Sequence, residues 1–165
     1  ISQMRLRKDN PDTVSEIVGT VAQHPNDPSV LLFTVDIDTV PTNSMPPINA
    51  IIDPQRSRPG KGLPAAVAGQ RYLILNDINS SKAGDTTFDG ADAWKSLDGQ
   101  DLVAKANDII SYTGTTWQVA WASTGITKTE YVTNITTSIQ YKWTGQEWQK
   151  SYEGEYPAGT WSLVL

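Results

Sequence analysis

Alternation of apolar and polar residues predicts β-structure near the start of the chain. Residues 29–40 are predicted as a strand, in which the apolar positions 33, 35 and 37 alternate with threonine and aspartate at 34, 36 and 38, as in a strand with one buried and one solvated face. Residues 17–22 are rich in β-branched side chains and also favour a strand. A turn signal, His-Pro-Asn-Asp-Pro at 24–28, separates the two. We therefore predict an antiparallel β-hairpin within residues 14–40, in an N-terminal arm and hairpin region that covers 1–40.

A proline-rich stretch interrupts this pattern. Residues 41–68 contain six of the ten prolines in the chain. Proline has no N–H to donate to a sheet ladder, and it biases the residue before it towards extended conformations. This composition predicts an extended linker between two parts of the chain, with Ile48, Ile51 and Ile52 able to dock it onto an apolar surface.

The last third of the chain is organised around a short aromatic pattern that occurs three times. The copies are Tyr-Thr-Gly-Thr-Thr-Trp at Tyr112–Trp117, Trp-Thr-Gly-Gln-Glu-Trp at Trp143–Trp148 and a looser Tyr-Pro-Ala-Gly-Thr-Trp at Tyr156–Trp161. In each copy, one aromatic residue precedes and one follows four turn-forming residues, as a hairpin with a four-residue loop requires. The glycine of each copy can adopt the positive φ that such loops favour. We expect the flanking aromatic residues to pair across the two strands.

These hairpins, together with a strand over residues 70–75, predict the rest of the fold. Residues 69–165 are expected to form a compact antiparallel β-sandwich or barrel of about eight strands. All six tryptophans lie from Trp94 onward, so this domain has an aromatic core of its own. The predicted fold class is mainly β, with an N-terminal β-hairpin region, a proline-rich connector and a C-terminal β domain.

Composition limits the partners and the chemistry. The 165 residues carry a net charge of −5, which argues against a nucleic-acid interface, because such surfaces are basic. No segment approaches the ~20 apolar residues of a membrane-spanning helix. Cysteine is absent, which removes disulfides and thiolate metal sites. Because the net charge is negative and no long apolar segment is present, we expect neither a nucleic-acid nor a membrane partner.

The sequence offers no convincing catalytic constellation. The single histidine, His24, lies in the turn signal, where a surface or capping role is expected. The acidic segment 77–92 does not match the spacing of an EF-hand, and loop aspartates more often make turns and caps than bind calcium. The acidic residues Glu147, Glu153 and Glu155 would serve a glycosidase only if two of them faced one another across a cleft. We predict a protein with no catalytic residues, no cofactor and no bound metal.

The aromatic residues allow two interpretations. In the first, their rings fill the inner faces of the sheets, since a small β domain has few other large groups to bury. In the second, Trp143, Trp148 and Trp161 lie on an open face. There they would anchor a protein partner or stack on sugar rings.

Several short motifs from residue 69 onward occur in an order that is found in a known family. They are Gly-Gln-Arg-Tyr-Leu-Ile at 69–74, Ala-Trp at 93–94, Ala-Asn-Asp-Ile-Ile at 106–110, Tyr-x-Gly-x-x-Trp at 112–117, and the ending from Tyr141 to Leu165. In these motifs the chain resembles a small β-module of tailed-bacteriophage virion proteins. It is most similar to tail and baseplate-associated chains of contractile-tailed, T-even-like phages. The resemblance implies a structural, non-enzymatic role, with no catalytic residues to carry over.

This resemblance leads to an expected function. The chain would be a component of a phage tail, neck or baseplate, assembled in the host cytoplasm, that contacts other virion structural proteins within a symmetric oligomer. The proline-rich stretch and the basic N-terminus would provide docking arms. The alternative is a carbohydrate-binding domain of a receptor-binding or cell-wall-directed phage protein. That function requires Trp143, Trp148 or Trp161 to be exposed in a row beside polar side chains.

Overall fold

A computed structural model describes residues 2–8, 15–36, 40–79, 93–151 and 161–164. The described part of the chain has no α-helix, and hence none that is long and apolar enough to cross a membrane. The strands are β1 Ser2–Lys8, β2 Ser15–His24, β3 Asp27–Val35, β4 Ala50–Ile52, β5 Arg58–Pro59, β6 Gly62–Leu63, β7 Arg71–Ile74, β8 Ile109–Tyr112, β9 Trp117–Trp121, β10 Glu130–Asn134, β11 Ile139–Trp143, β12 Trp148–Lys150 and β13 Trp161–Val164. The prediction of a mainly β fold is confirmed.

The chain divides into two compact units. The smaller unit comprises Ile1–Thr42 together with Tyr152–Leu165, and the larger unit comprises Asn43–Ser151. Both ends of the sequence therefore belong to one unit, and the larger unit is inserted between them. This division differs from the boundaries after 40 and 68 that composition suggested, because much of the proline-rich stretch is built into the larger unit.

The smaller unit is a four-stranded antiparallel sheet in the order β13-β1-β2-β3. Strands β2 and β3 are joined by a turn at 25–26 and form the hairpin that the sequence predicts. Strand β13 pairs with β1, with Arg5 opposite Val164, so residues near the end of the chain complete a sheet that residues near its start begin. Strand β3 ends the sheet, with no further strand beside it among the described residues.

Gly19 permits a close approach of the two strands in the hairpin. A Cβ atom at this position would lie 2.3 Å from the carbonyl oxygen of Thr34 and 2.7 Å from the ring of Phe33. Phe33 pairs with Val21, so its ring reaches diagonally across to cover the glycine backbone. The register of the hairpin is therefore tied to a contact that only glycine allows.

The larger unit is built on a four-stranded mixed sheet in the order β4-β7-β8-β9. Strands β4 and β7 run parallel, and the other neighbours run antiparallel. Both faces of this sheet are buried, because alternate residues of β7 and β8 enter two different apolar clusters. Tyr72, Ile74 and Ile110 belong to the first cluster, and Leu73 and Ile109 belong to the second.

Different elements cover the two faces of the mixed sheet. The first cluster is completed by residues of the segment between β7 and β8, with Ile78, Trp94 and Leu102 buried in it. The second cluster is completed by Val132 of β10, in the three-stranded sheet β10-β11-β12. The result is an arrangement like a β-sandwich, made of open sheets, with no closed barrel among the described strands.

Two of the three predicted aromatic hairpins lie in the described residues, and both are confirmed. Tyr112 pairs with Trp117 across β8 and β9, and Trp143 pairs with Trp148 across β11 and β12. The glycines of these two loops have positive φ values of 107° and 97°. Most of the third copy, at 156–160, lies outside the described residues.

A threonine at the first loop position organises both of these hairpins in the same way. The N–H of Thr113 donates to the carbonyl of Thr116 at 2.8 Å. Its Oγ1 accepts from the N–H groups of Thr115 and Thr116 at 3.3 and 3.1 Å. Thr144 makes the corresponding bonds with the residues that precede Trp148. The repeated Thr-Gly sequence thus encodes a loop that satisfies its own backbone.

The proline-rich stretch contains a segment, residues 48–52, that hydrogen-bonds to both sheets of the sandwich. The N–H of Ile48 donates to the carbonyl of Thr133 at 3.0 Å, and the N–H of Ile135 donates to the carbonyl of Ile48 at 2.9 Å. Two residues later β4 begins and pairs with β7. We call residues 48–52 the clasp.

Side chains of the clasp enter both apolar clusters. Ile52 belongs to the first cluster, whereas Ile48 belongs to the second and Ile51 packs against it. The nearest prolines are Pro47 and Pro54, so the clasp itself is free of proline. This is why a stretch whose average composition indicates a linker contains a run that pairs with sheets.

Truncation of the clasp should cost far more than the same truncation at the surface. We expect Ile48→Ala to lower the free energy of unfolding by about 2–5 kcal/mol, because the side chain is 0% exposed and its loss leaves a cavity. The matched control is Ile135→Ala, at a position 54% exposed, which should cost about 0.5 kcal/mol or less. Urea denaturation followed by tryptophan fluorescence measures both. Similar losses for the two variants would contradict the role of the clasp.

The loop threonines should contribute to stability through their hydroxyl oxygens. Thr144→Val keeps the shape of the side chain but removes the acceptor of two backbone N–H groups, and we expect a loss of about 0.5–1.5 kcal/mol. We expect Thr113→Val to lower the stability by a similar amount. Thr115→Val is the control, since it leaves the Thr113 acceptor in place. Thermal unfolding measures the differences, and equal melting temperatures for Thr113→Val and Thr115→Val would contradict this account.

Candidate interaction surface

Two of the three tryptophans proposed from sequence as contact residues pack into the larger unit. Trp143 is 3% exposed, and its Nε1 donates to the carbonyl of Ile126 at 2.8 Å. Trp148 is half-buried, and its Nε1 donates to the carbonyl of Asn107 at 3.0 Å. Both indole donors are thus used within the fold. Trp161 lies in β13, and its side chain is outside the described residues.

The aromatic rings form two clusters, and the ring separations in both are those of aromatic side chains packed in a protein core. Trp121, Trp143 and Trp148 have ring centroids 5.2–5.5 Å apart and steep interplanar angles. The second cluster comprises Tyr72, Trp94, Tyr112 and Trp117. These separations, with one stacked pair (Tyr72–Trp117) and otherwise tilted or edge-on pairs, are typical of aromatic side chains that fill a core. The described tryptophans therefore do not provide three open ring faces in a row.

The acidic and histidine candidates have structural roles where the structure describes them. No group of three or more His, Cys, Asp or Glu side chains in the described ranges is placed to hold a metal ion. The Nδ1 atom of His24 accepts from the N–H of Asn26 at 3.1 Å and thereby caps the turn of the hairpin. Glu147 is exposed on its loop. The remaining candidates lie outside the described residues: Glu153, Glu155 and 80–92.

The buried carboxylate of Asp108, which no functional motif in the sequence indicated, holds the loop that precedes β8 in place. Asp108 is buried, and its Oδ1 accepts from the N–H and Oγ of Ser123 at 2.8 and 2.9 Å. Its Oδ2 accepts from the N–H of Lys105 at 2.9 Å. Asp77 accepts from the N–H of Ala106 at 2.7 Å. Because backbone and hydroxyl donors occupy these oxygens, both residues act as loop caps.

An open groove of about 640 Å³ runs beside the first aromatic hairpin. Its apolar lining includes Leu102, Trp117 and Val119, and Leu97 stands at its rim, 88% exposed. The Oγ of Ser96, on the same loop as Leu97, donates to the carboxylate of Asp98, and this hydrogen bond is the main cause of a lowered Asp98 pKa. The groove is wide and shallow, so it offers a surface to a ligand and does not enclose one.

A smaller concavity of about 190 Å³ is lined by three cationic side chains of the loop that carries β5. Its lining includes Arg56, Arg58 and Lys61. The Nε of Arg56 lies 3.4 Å from Oδ2 of Asp53, so this charge is partly compensated within the loop. The side chain of Arg56 is otherwise solvated, and a solvated ion pair of this kind contributes little to stability or binding.

Among the side chains that the structure describes in the smaller unit, the most exposed apolar ones lie together on β3. Val30, Leu31 and Leu32 are 41%, 69% and 43% exposed. Consecutive residues of a strand point to opposite faces, so both faces of this part of β3 are apolar and solvated. In the described residues β1 pairs with β2 only as far as Val21, and the hairpin continues beyond it as a two-stranded ribbon. We call residues 27–35 the β3 edge.

The backbone of the β3 edge is directed to receive another strand. The N–H of Asp36 donates to the carbonyl of Val18 at 2.8 Å, across to β2. In an antiparallel ladder alternate residues point their N–H and C=O groups to opposite sides, so those of Leu31, Phe33 and Val35 point away from β2. Proteins usually protect such an edge with charged residues, bulges or proline. From Ser29 to Val35 the β3 edge has no charged residue and no proline. Its pairing with β2 is regular from Leu31 to Val35 and shifts between Gln23 and His24, so residues 28–30 lie outside the regular ladder.

The sequence contained a signal for this surface that strict alternation conceals. The alternation of residues 33–37 predicts one buried and one solvated face, but it does not continue back to residue 29. The run Val30-Leu31-Leu32 does not alternate, because three consecutive apolar residues occupy both faces of a strand. In a two-stranded ribbon such a run has to be exposed.

Comparisons with known proteins identify no relative of this chain: no family model, no curated protein and no solved structure matches it. The surfaces above are therefore characterised by their own geometry. Among them, the β3 edge combines exposed apolar side chains with backbone groups directed outward. It is the candidate interaction surface.

Ser29 should control the ionisation of Asp27 at the start of the β3 edge. Its Oγ and N–H both donate to Oδ1 of Asp27, at 2.6 and 3.0 Å, and these bonds lower the Asp27 pKa. A folded-state pKa below the unfolded value stabilises the fold at pH values above the unfolded pKa. That contribution is lost as the pH falls through the folded value.

We expect Ser29→Ala to raise the pKa of Asp27 towards its ordinary value, because the larger of the two causes of the shift is removed. Thr34→Ala, on the same strand but away from this carboxylate, should leave the Asp27 pKa unchanged. Titration of the side-chain carboxyl carbon by NMR measures both. An Asp27 pKa that Ser29→Ala does not move would contradict the assignment of the cause.

Proposed function

We propose that this chain is a structural component of a bacteriophage virion, in the tail, neck or baseplate, that acts through protein–protein contacts and performs no catalysis. The observation that carries the proposal is the β3 edge, with Leu31 69% exposed between two further apolar residues. A strand that is apolar on both faces, and that has no neighbour on one side among the described strands, is suited to bind the backbone and side chains of another protein. The resemblance of the motifs from residue 69 onward to a virion β-module supplies the setting.

The two units provide different properties that an assembly component needs. In the larger unit, both faces of the mixed sheet are buried and the clasp bonds to two sheets, which favours a rigid body. In the smaller unit, full burial of an exposed leucine by a partner would contribute roughly 1.5–3 kcal/mol. Such a contact is modest alone and becomes effective when symmetry repeats it among other virion proteins. Assembly in the host cytoplasm follows from this setting.

The carbohydrate-binding alternative requires accessible ring faces. Trp143 is 3% exposed, and Trp148 uses its Nε1 donor within the fold. Stacking on a sugar would require the Trp143 ring to leave its cluster. The described residues thus support assembly better than glycan binding.

Virion incorporation tests the proposal. Particles purified from cells that express the wild-type chain should contain it at a fixed stoichiometry, measured by quantitative mass spectrometry. Leu31→Lys should reduce incorporation about tenfold or more, because an ammonium group buried in a contact has no partner there. Leu97→Lys, the same change at an exposed position of the larger unit, is the matched control and should be incorporated normally.

Circular dichroism and thermal unfolding of the purified variants establish that both changes leave the fold intact. Absence of the wild-type chain from purified particles would overturn the proposal. Equal incorporation of Leu31→Lys and Leu97→Lys would show that the β3 edge is not the surface used.

A further inference from the structure

We infer that Arg71 binds a carboxylate group of a partner protein, through the two terminal Nη atoms of its guanidinium, with Ser111 and Gln118 as neighbouring donors. The site is separate from the β3 edge, because it lies on the mixed sheet of the larger unit. Only the statement that the partner is a virion protein rests on the proposed function.

The strand register places these three side chains side by side on one face of the mixed sheet. Arg71 lies opposite Ser111 across β7 and β8, and Ser111 lies opposite Gln118 across β8 and β9. Residues two positions apart on a strand share a face, so the row continues the face on which Leu73 and Ile109 enter the second apolar cluster. Gln118 is exposed, so this polar row reaches solvent where the apolar cluster ends.

The guanidinium of Arg71 is partly desolvated and lacks a counter-ion among the described residues. Its Nε is buried and has no hydrogen-bond partner in that part of the chain. Burial lowers the pKa of Arg71, and no carboxylate of the described residues acts against this shift. An arginine side chain nevertheless stays charged at neutral pH. The fold therefore holds a charge whose lost hydration is not offset by an ion pair.

The strands around Arg71 carry no carboxylate that could serve as its counter-ion. The chain as a whole has a net charge of −5. Residues 54–76, which include β7, nevertheless contain no aspartate or glutamate, and the same is true of residues 109–129, which include β8 and β9. An anion that neutralises Arg71 has to come from outside these strands.

Hydrogen bonds position the groups of the site. The N–H of Arg71 donates to Oδ1 of Asn49 at 2.9 Å, and the N–H of Asn49 donates to the carbonyl of Arg71 at 2.8 Å, so the clasp fixes the backbone of the arginine. The Oγ of Ser111 accepts from Nε2 of Gln118 at 3.3 Å. This bond leaves the hydroxyl proton of Ser111 and the second amide N–H of Gln118 available to a ligand.

These groups suit a carboxylate better than a phosphate. The side chain of Arg71 is partly exposed, and its Nη atoms are not among the buried atoms that lack a partner, so a ligand can reach them. Two N–H groups of a guanidinium form parallel bonds to both oxygens of a carboxylate. One cation balances the single charge of a carboxylate, whereas a phosphate ester carries nearly two charges. An aspartate, a glutamate or a chain end of a partner protein is therefore the occupant.

The variant Arg71→Met separates a binding role from a structural one. Methionine keeps an apolar stem and has no charge to desolvate, so we expect the melting temperature of the free chain to rise by about 2–4 °C. Arg56→Met is the matched control, because the Arg56 side chain is 86% exposed, and its melting temperature should stay at the wild-type value. A lower melting temperature for Arg71→Met would show that the arginine supports the fold and would overturn the inference.

Titration with sodium acetate measures carboxylate binding directly. We expect a saturable NMR shift of the Arg71 Nε–Hε signal and of the Ser111 and Gln118 amides, which sodium chloride at equal ionic strength does not produce. Arg71→Met should bind acetate about tenfold or more weakly than the wild type, and Arg56→Met should bind it equally well. Arg71→Lys should also bind acetate more weakly, because an ammonium group lacks the planar fork of a guanidinium.

Three results of this titration would overturn the inference. They are the lack of a saturable acetate shift in the wild type, equal acetate binding by Arg71→Met and Arg56→Met, and tighter binding of sulfate than of acetate.

Incorporation into particles identifies the source of the carboxylate. Arg71→Met should enter particles about tenfold less than Arg56→Met, because it loses a charge-assisted contact. Equal incorporation of the two variants would overturn the assignment to a partner protein. Absence of the wild-type chain from particles would refute the virion role alone, since the acetate titration decides the site independently.

Discussion

The structure of the larger unit depends on the backbone hydrogen bonds of residues 48–52. A buried N–H or C=O group without a partner is costly, so a segment that lies between two sheets has to pair with both. Ile48 pairs with β10, and Asn49 donates its N–H to the carbonyl of Arg71 at 2.8 Å. Strand β4 then extends the mixed sheet beside β7. These bonds hold the two sheets in a fixed relation, and the aromatic rings fill the space that this relation defines.

Local chemistry explains which parts of the fold could be predicted from sequence. Each aromatic hairpin is specified by a few adjacent residues: a glycine with positive φ, a threonine that satisfies the loop backbone, and two aromatics that pair across it. The clasp is different, because its partners Thr133 and Tyr72 are distant in sequence. Composition averaged over 41–68 therefore indicated a linker and concealed a short run that pairs.

The candidate surface was missed for a related physical reason. Periodicity states which residues share a face, but it does not state which faces another element covers. Trp143 and Leu31 are both large apolar residues on strands, and only the neighbouring elements decide that the first is buried and the second exposed. Trp143 has β10 and β12 on either side. The end of β3 that carries Leu31 has a strand on one side alone, among the described residues.

The pairing of β1 with β13 imposes an order on events during synthesis. Arg5 is synthesised well before Val164, so the smaller unit cannot complete its sheet until β13 has left the ribosome. The larger unit has all of its strands available sooner and can fold as a unit in the interval. Until β13 has been synthesised, β1 lacks the outer neighbour that it has in the finished sheet, and its backbone groups on that side remain an open edge of the nascent chain.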